Sequence, residues 1–221
     1  MCPVLDAVLF DWGNTLVRFE WDDALVPVGH RAGLGRDDPD FTARWRELVL
    51  GDGHGYRPYA ELLRELGVTD PGGFVEREHE VWRGAYTVAA GATAVLESLR
   101  DRGLKTGLVA NAWPDPARLL RADAEMLGLA PLLDTVVFAE EAGERKPAPE
   151  PFLRACREIG VEPAAALFVG DSLVADVQGA ASLGMRTVQA LWFRADDAPG
   201  IEPDFTAATP PDVLDAVRQL A

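Results

Sequence analysis

Five positions put acid, amide or amine groups just beyond apolar runs. Asp11 follows the mostly apolar run 4–10, Asn111 follows 104–110, and Lys146 lies in Glu140-Glu141-Ala142-Gly143-Glu144-Arg145-Lys146-Pro147, beyond the run 134–138. Asp171 follows 166–170, and Asp176 comes five residues later. If these runs are strands of one open parallel sheet, their carboxyl ends share an edge, and ligands bind beyond that edge. Carboxylates gathered there repel one another unless they are protonated or bridged by a cation. Hard oxygen donors with no His or Cys near them in sequence point to Mg²⁺ as the bridge. A carboxylate beside Mg²⁺ and a lysine can attack a phosphoryl group and hold it as an aspartyl phosphate. The lysine stands out by scarcity: of 21 basic residues only Lys105 and Lys146 are lysines.

The elements that would position these groups can be read from periodicity. Residues 4–10 read as a buried strand. From about 18 to 87 the pattern is helical and shows no convincing strand: Phe41, Trp45, Leu48 and Val49 share one face, as do Tyr59, Leu62, Leu63 and Leu66. Asp70-Pro71 reads as an N-cap followed by a proline at the first helical position. Beyond residue 88 helices and strands alternate: helix 92–102, strand 104–110, helix 116–127, strand 134–138, helix 149–159, strand 166–170, helix 174–183, strand 186–190 and helix 211–220. The acidic segment 195–204, with Pro199, Gly200 and Pro203, reads as a surface loop. This alternation predicts an α/β fold, a parallel sheet with helices on both faces. The expected core is residues 1–17 and 88–221, with a helical insertion at 18–87.

Composition excludes several classes. The chain has 221 residues, 48% hydrophobic and 26% charged, which suits one globular domain or one with an insertion. Its net charge of −15 disfavours nucleic acid and anionic membrane as partners. A small anionic substrate remains compatible, since a bound cation inverts the local field. Cys2 and Cys156 form neither a disulfide framework nor a metal motif. With no visible signal peptide and no spanning apolar run, a cytoplasmic protein is expected.

The four segments, in order, resemble the haloacid dehalogenase-like superfamily. Leu9-Phe10-Asp11-Trp12-Gly13-Asn14-Thr15-Leu16 is similar to its first motif, Gly107-Leu108-Val109-Ala110-Asn111 to its second, Gly143-Glu144-Arg145-Lys146-Pro147-Ala148-Pro149 to its third and Val169-Gly170-Asp171-Ser172-Leu173-Val174-Ala175-Asp176 to its fourth. The resemblance covers nearly the whole chain. It implies a Rossmann-like core with an inserted α-helical cap of the C1 type at 18–87. It also implies a Mg²⁺-dependent hydrolase acting on a small phosphorylated substrate. In that reading Asp11 is the nucleophile, Lys146 neutralises charge, and Asp11, the Gly13 carbonyl and Asp171 hold the metal. Asp176 stands as ligand, supporting group or helix acid. Asn14, Thr15, Asn111 and Lys146 are the candidate phosphate contacts. For Thr15 a turn cap competes with that role, and for Asn111 a strand end does. His30, His54 and His79 fall in the insertion and read as packing or surface residues, and the six tryptophans as core or pocket wall. Specificity would sit around Arg18–Asp22 and the Gly51-Asp52-Gly53-His54-Gly55 tip.

Two positions depart from the family pattern. Phosphatases of the family carry a second Asp two residues after the nucleophile, both metal-binding through its carbonyl and the general acid/base; here the residue is Gly13. Glycine keeps the carbonyl and loses the acid. Ala110 stands where a Ser or Thr hydroxyl is usual. Three readings follow: a phosphatase acting on good leaving groups or with another acid, a different hydrolase such as a haloacid dehalogenase, or a binding module. Schiff-base chemistry of the phosphonoacetaldehyde hydrolase kind would need a cap lysine, and residues 18–87 contain none.

Overall fold

The strand β1 (Ala7–Phe10) is flanked on both sides by parallel neighbours in the computed structural model, which describes residues 5–19, 24–50, 57–111 and 116–220. Cys2, Trp21, Asp22, Trp113 and the Gly51–Gly55 segment with His54 lie outside the described residues. Ala7 pairs with Lys105 of β4 (Lys105–Ala110) and with Ala166 of β6 (Ala166–Gly170). The six-stranded sheet has the order β5-β4-β1-β6-β7-β8, with β5 at Thr135–Phe138, β7 at Arg186–Ala190 and β8 at Phe205–Ala207. Every pairing in it is parallel. The fold is the expected α/β, Rossmann-like one.

Alternation along the strands divides the core into two layers. Val8, Phe10, Leu108, Ala110, Leu167 and Val169 face one side, packing on α5 (Ala92–Asp101), α6 (Ala117–Met126) and α10 (Val213–Leu220). Ala7, Leu9, Val109 and Phe168 face the other, against α8 (Glu150–Ile159) through Phe152, Ala155 and Cys156. Burial on both faces explains why these strands read as continuous apolar runs. Gly107 is needed in β4, since a Cβ there would lie 2.6 Å from Thr135 Cγ2 and 2.7 Å from Leu9 Cδ2.

Between β1 and β4 the chain builds α1 (Leu25–Leu34), α2 (Phe41–Leu50), α3 (Tyr59–Glu65) and α4 (Pro71–Arg83). They share a separate apolar cluster that includes Phe41, Trp45, Leu62, Phe74 and Trp82. Asp70 caps α4 as expected, its Oδ1 accepting from Gly73 N at 3.0 Å. Inside this cluster burial lowers the pKa of His30 to about 4, with Arg46 contributing, so the ring is held neutral against its neighbours.

The structure differs from these expectations in four places. Strand is present at both ends of the 18–87 segment: β2 (Val17–Phe19) pairs antiparallel with β3 (Tyr86–Val88). Three residues are too few to leave a period in the sequence. For the same reason β8 was hidden beyond the acidic loop. The predicted helix 174–183 is instead a π-helical turn, Leu173–Gln178, running into the short α9 (Gly179–Ala181). A short helix, α7 (Ala139–Ala142), also follows β5.

One buried pair ties α4 to α6. His79 Nε2 lies 2.8 Å from Asp123 Oδ2, and Arg83 Nη2 lies 3.4 Å from Asp123 Oδ1; Asp123 is fully buried. Removing one partner of a buried pair strands the other, typically at ~3–5 kcal/mol. His79→Leu should therefore lower stability by about 3 kcal/mol in urea unfolding. A loss below about 1 kcal/mol would mean that Asp123 draws little from His79.

Candidate active site

Adjacency of β4, β1 and β6 brings three strand ends together. Asp11 follows β1 directly, and its N–H donates to Val169 O at 2.9 Å, which extends the ladder by one residue. The chain then turns: Asn14 N donates to Val17 O at 2.8 Å and Val17 N to Trp12 O at 2.9 Å. Asn14 has φ 56°, a left-handed conformation that asparagine tolerates better than most residues.

The centre of the site is the Lys146 ammonium. Its Nζ donates to Asp11 Oδ1 and to Asp176 Oδ1, each at 2.6 Å, and to the Val109 carbonyl at 2.8 Å. These three acceptors come from different elements. Asn111 fixes the lysine backbone, with Oδ1 accepting from Lys146 N at 2.7 Å and Nδ2 donating to Lys146 O at 3.0 Å. The peptide that follows, Lys146–Pro147, is cis. Asp176 is held in turn, its Oδ2 accepting from Ser172 N at 3.0 Å. Gly170 makes room for it, because any Cβ at that position would collide with the Asp176 carboxylate.

Asp11, Asp171 and Asp176 are all buried, and each offers an oxygen within 4.8 Å of the others. Burial pushes the Asp11 carboxyl up; Lys146 pulls it down, while Asp176 and Asp171 push it further up. Asp171 is also raised, by burial first, against the pull of Arg194. Burial alone would lower the Lys146 pKa, but the attraction of Asp11 and Asp176 outweighs it and holds the amine charged. Three crowded oxygen ligands, two of them destabilised as anions, fit a hard divalent cation.

The sequence-read residues Asp11, Lys146, Asn111, Asp171 and Asp176 thus meet. Gly13 and Asn14 lie in the turn after β1, half-buried. Thr15 is fully buried; its carbonyl accepts from Trp192 Nε1 at 2.9 Å, and its hydroxyl has no partner among the described residues. The Asn111 amide is committed to Lys146 at both ends. Sequence reasoning missed Arg194, whose Nε donates to Asp171 Oδ2. It also missed Asp196, whose Oδ2 accepts from Leu173 N at 2.8 Å. Extending the strand-end rule to β7 would have found this loop.

Residues 5–184 match the family model described as haloacid dehalogenase-like hydrolase. The chain belongs to the haloacid dehalogenase-like hydrolases. This hydrolase is 31% identical to a glyceraldehyde 3-phosphate phosphatase of Methanopyrus kandleri, over 99% of each chain. It is 29% identical to a phosphoglycolate phosphatase of Aquifex aeolicus, over 94% of each. Among solved structures, a phosphatase of the family from Thermococcus onnurineus superimposes with a TM-score of 0.77 at 26% identity, covering 96% of this chain and 98% of that one. No described helix is long and apolar enough to cross a membrane.

Lys146 is also a structural counter-ion, since it is the shared partner of two buried carboxylates. In chelator, Lys146→Met should cost about 3–5 kcal/mol in chemical unfolding. The folded-state pKa of Asp11 already lies above its unfolded value and rises further without the lysine. A carboxyl raised in the folded state binds more protons there, so it favours folding at low pH and loses that contribution as pH rises. The variant should therefore regain stability between about pH 8 and pH 5, relative to wild type. A pH-independent deficit would show that these carboxylates are not what destabilises it.

Proposed function

We propose that this hydrolase is a Mg²⁺-dependent phosphatase of small phosphorylated metabolites, working through an aspartyl phosphate on Asp11. One observation carries the reading: a buried ammonium at 2.6 Å from two carboxylates, with a third carboxylate within 4.8 Å. The names of the relatives, a glyceraldehyde 3-phosphate phosphatase and a phosphoglycolate phosphatase, support the substrate class.

Each residue then has a task. Asp11 sits at the strand end, and its free carboxylate oxygen attacks phosphorus as the ester P–O bond breaks. Lys146 steadies the charge on Asp11 and on the transferring phosphoryl oxygens. Asn111 positions Lys146 through its backbone, and Asn14 and Thr15 shape the turn beside the phosphate. Asp11, the Gly13 carbonyl and Asp171 would hold Mg²⁺, with Asp176 in support; when bound, the ion would add positive charge against the phosphoryl oxygens. Water then attacks the aspartyl phosphate, which releases phosphate and restores Asp11. Residues 18–87 act as a cap over the core formed by 1–17 and 88–221, with the β2–β3 ribbon as its root. Closure excludes bulk water.

Gly13 sets the limit on this chemistry. It carries no acid, so a departing alkoxide takes its proton from water or from a residue of the cap. A Cβ at Gly13 would meet nothing within 4 Å, and the residue is not among those with positive φ, so an aspartate side chain has room there. Positioned acid/base catalysis is worth ~10²–10⁴ in rate. Gly13→Asp should raise phosphate release from an alkyl ester by about 10²-fold and flatten the dependence of rate on leaving-group acidity. An unchanged rate and slope would place the proton donor elsewhere.

The nucleophile has its own test. Phosphate release in Mg²⁺ should vanish in Asp11→Asn, and wild-type turnover in that variant would overturn the assignment. No release by wild type on a broad phosphate panel would favour a binding module instead.

A further inference from the structure

We propose that Arg194 is a resident counter-cation of the metal site. It occupies Asp171 while the site is metal-free, yields that carboxylate to the incoming divalent ion, and then presents its guanidinium to the anionic substrate. The inference rests on the phosphatase reading and adds to it a coupling between metal and substrate binding.

All three candidate metal carboxylates already have a cationic partner from the chain. Lys146 serves Asp11 and Asp176, and Arg194 serves Asp171. The two cations are not equivalent. The Lys146 side chain is 2% exposed, bonds a third acceptor, and has its backbone clamped by Asn111. It has no path out. The Arg194 side chain is 52% exposed, whereas Asp171 is 6% exposed. The carboxylate stays and the arginine can swing away.

Charge counting favours that exchange. Three carboxylates against Lys146 and Arg194 leave one excess negative charge. A divalent ion reverses the balance and places like charge beside the guanidinium. Mg²⁺ also demands close oxygen ligands in near-octahedral geometry. An Asp171 oxygen given to the ion is then poorly shared with an arginine.

Once displaced, Arg194 does not leave the neighbourhood. Two residues before it, Trp192 Nε1 donates to Thr15 O at 2.9 Å. Two residues after it, Asp196 holds Leu173 N at 2.8 Å, and its carbonyl accepts from Gln189 Nε2 at 2.9 Å. The loop is pinned on both sides of Arg194, to the turn after β1 and to the turn after β6. A freed guanidinium therefore stays at the rim of the site, where its planar donor fork suits a phosphate. Metal binding would then strengthen anion binding, and by linkage the anion would strengthen metal binding.

The test is calorimetric titration of Mg²⁺ into wild type, Arg194→Gln and Arg194→Lys without substrate. Inorganic phosphate is then titrated at saturating Mg²⁺. Losing the competing cation should tighten Mg²⁺ binding about tenfold in Arg194→Gln and weaken phosphate binding about tenfold. Arg194→Lys, which keeps a charge without the fork, should bind Mg²⁺ less tightly than Arg194→Gln. Unchanged or weaker Mg²⁺ binding in Arg194→Gln would overturn the proposal, for then Arg194 merely orients Asp171. So would a Lys variant that binds as tightly as the Gln variant. Both outcomes leave the metal-dependent reading intact. If wild type takes up no Mg²⁺ at all, that reading fails together with this one.

Discussion

One ammonium group organises this protein's active edge. Lys146 is buried, and a buried charge is tolerable only when paired and fully hydrogen-bonded. All three of its protons are spent, on Asp11, Asp176 and the Val109 carbonyl. Those acceptors belong to the end of β1, the turn after β6 and the strand β4. The lysine itself arrives from the loop after β5, so one side chain locks four segments of the sheet edge together. If any of them shifted, a buried charge would lose its partner. The register of the central strands and the geometry of the site are therefore one constraint.

The rest of the core serves that constraint. Two apolar layers hold β1, β4 and β6 in line, so that their carboxyl ends coincide. Gly107 lets β4 approach Leu9 and Thr135 closely, and Gly170 lets Asp176 fold back against its own strand. The π-helical turn after β6 belongs to the same geometry: one Asp176 oxygen caps Ser172 N while the other reaches Lys146. Wider helical turns of this kind recur at functional sites, where a side chain must be placed off the ordinary α spacing.

Much of the site was legible because the fold obeys local rules. Asp11, Asn111, Lys146, Asp171 and Asp176 each stand beyond a strand whose apolar run is visible in the sequence. The scarcity of lysine singled out Lys146 before any geometry. What escaped was short or non-local. The strands β2, β3 and β8 span three residues each, too few for a period. Arg194 sits among nineteen arginines, so its type carried no signal; only its contact with Asp171 distinguishes it.

The alternation of helix and strand, the parallel sheet, the order of the four motifs and the absence of an acid at Gly13 can all be read along the chain. These depend on residue type and spacing along the chain, and a sequence states both directly. Only in the folded chain does Asn111 spend its amide on the Lys146 backbone. Only there is the Thr15 carbonyl held by the Trp192 indole, and only there does Asp171 gain its cationic partner. Each of these is a pairing across 23 or more residues of chain. Such pairings depend on which buried groups have no other partner within reach, and that is settled only when the strands are side by side.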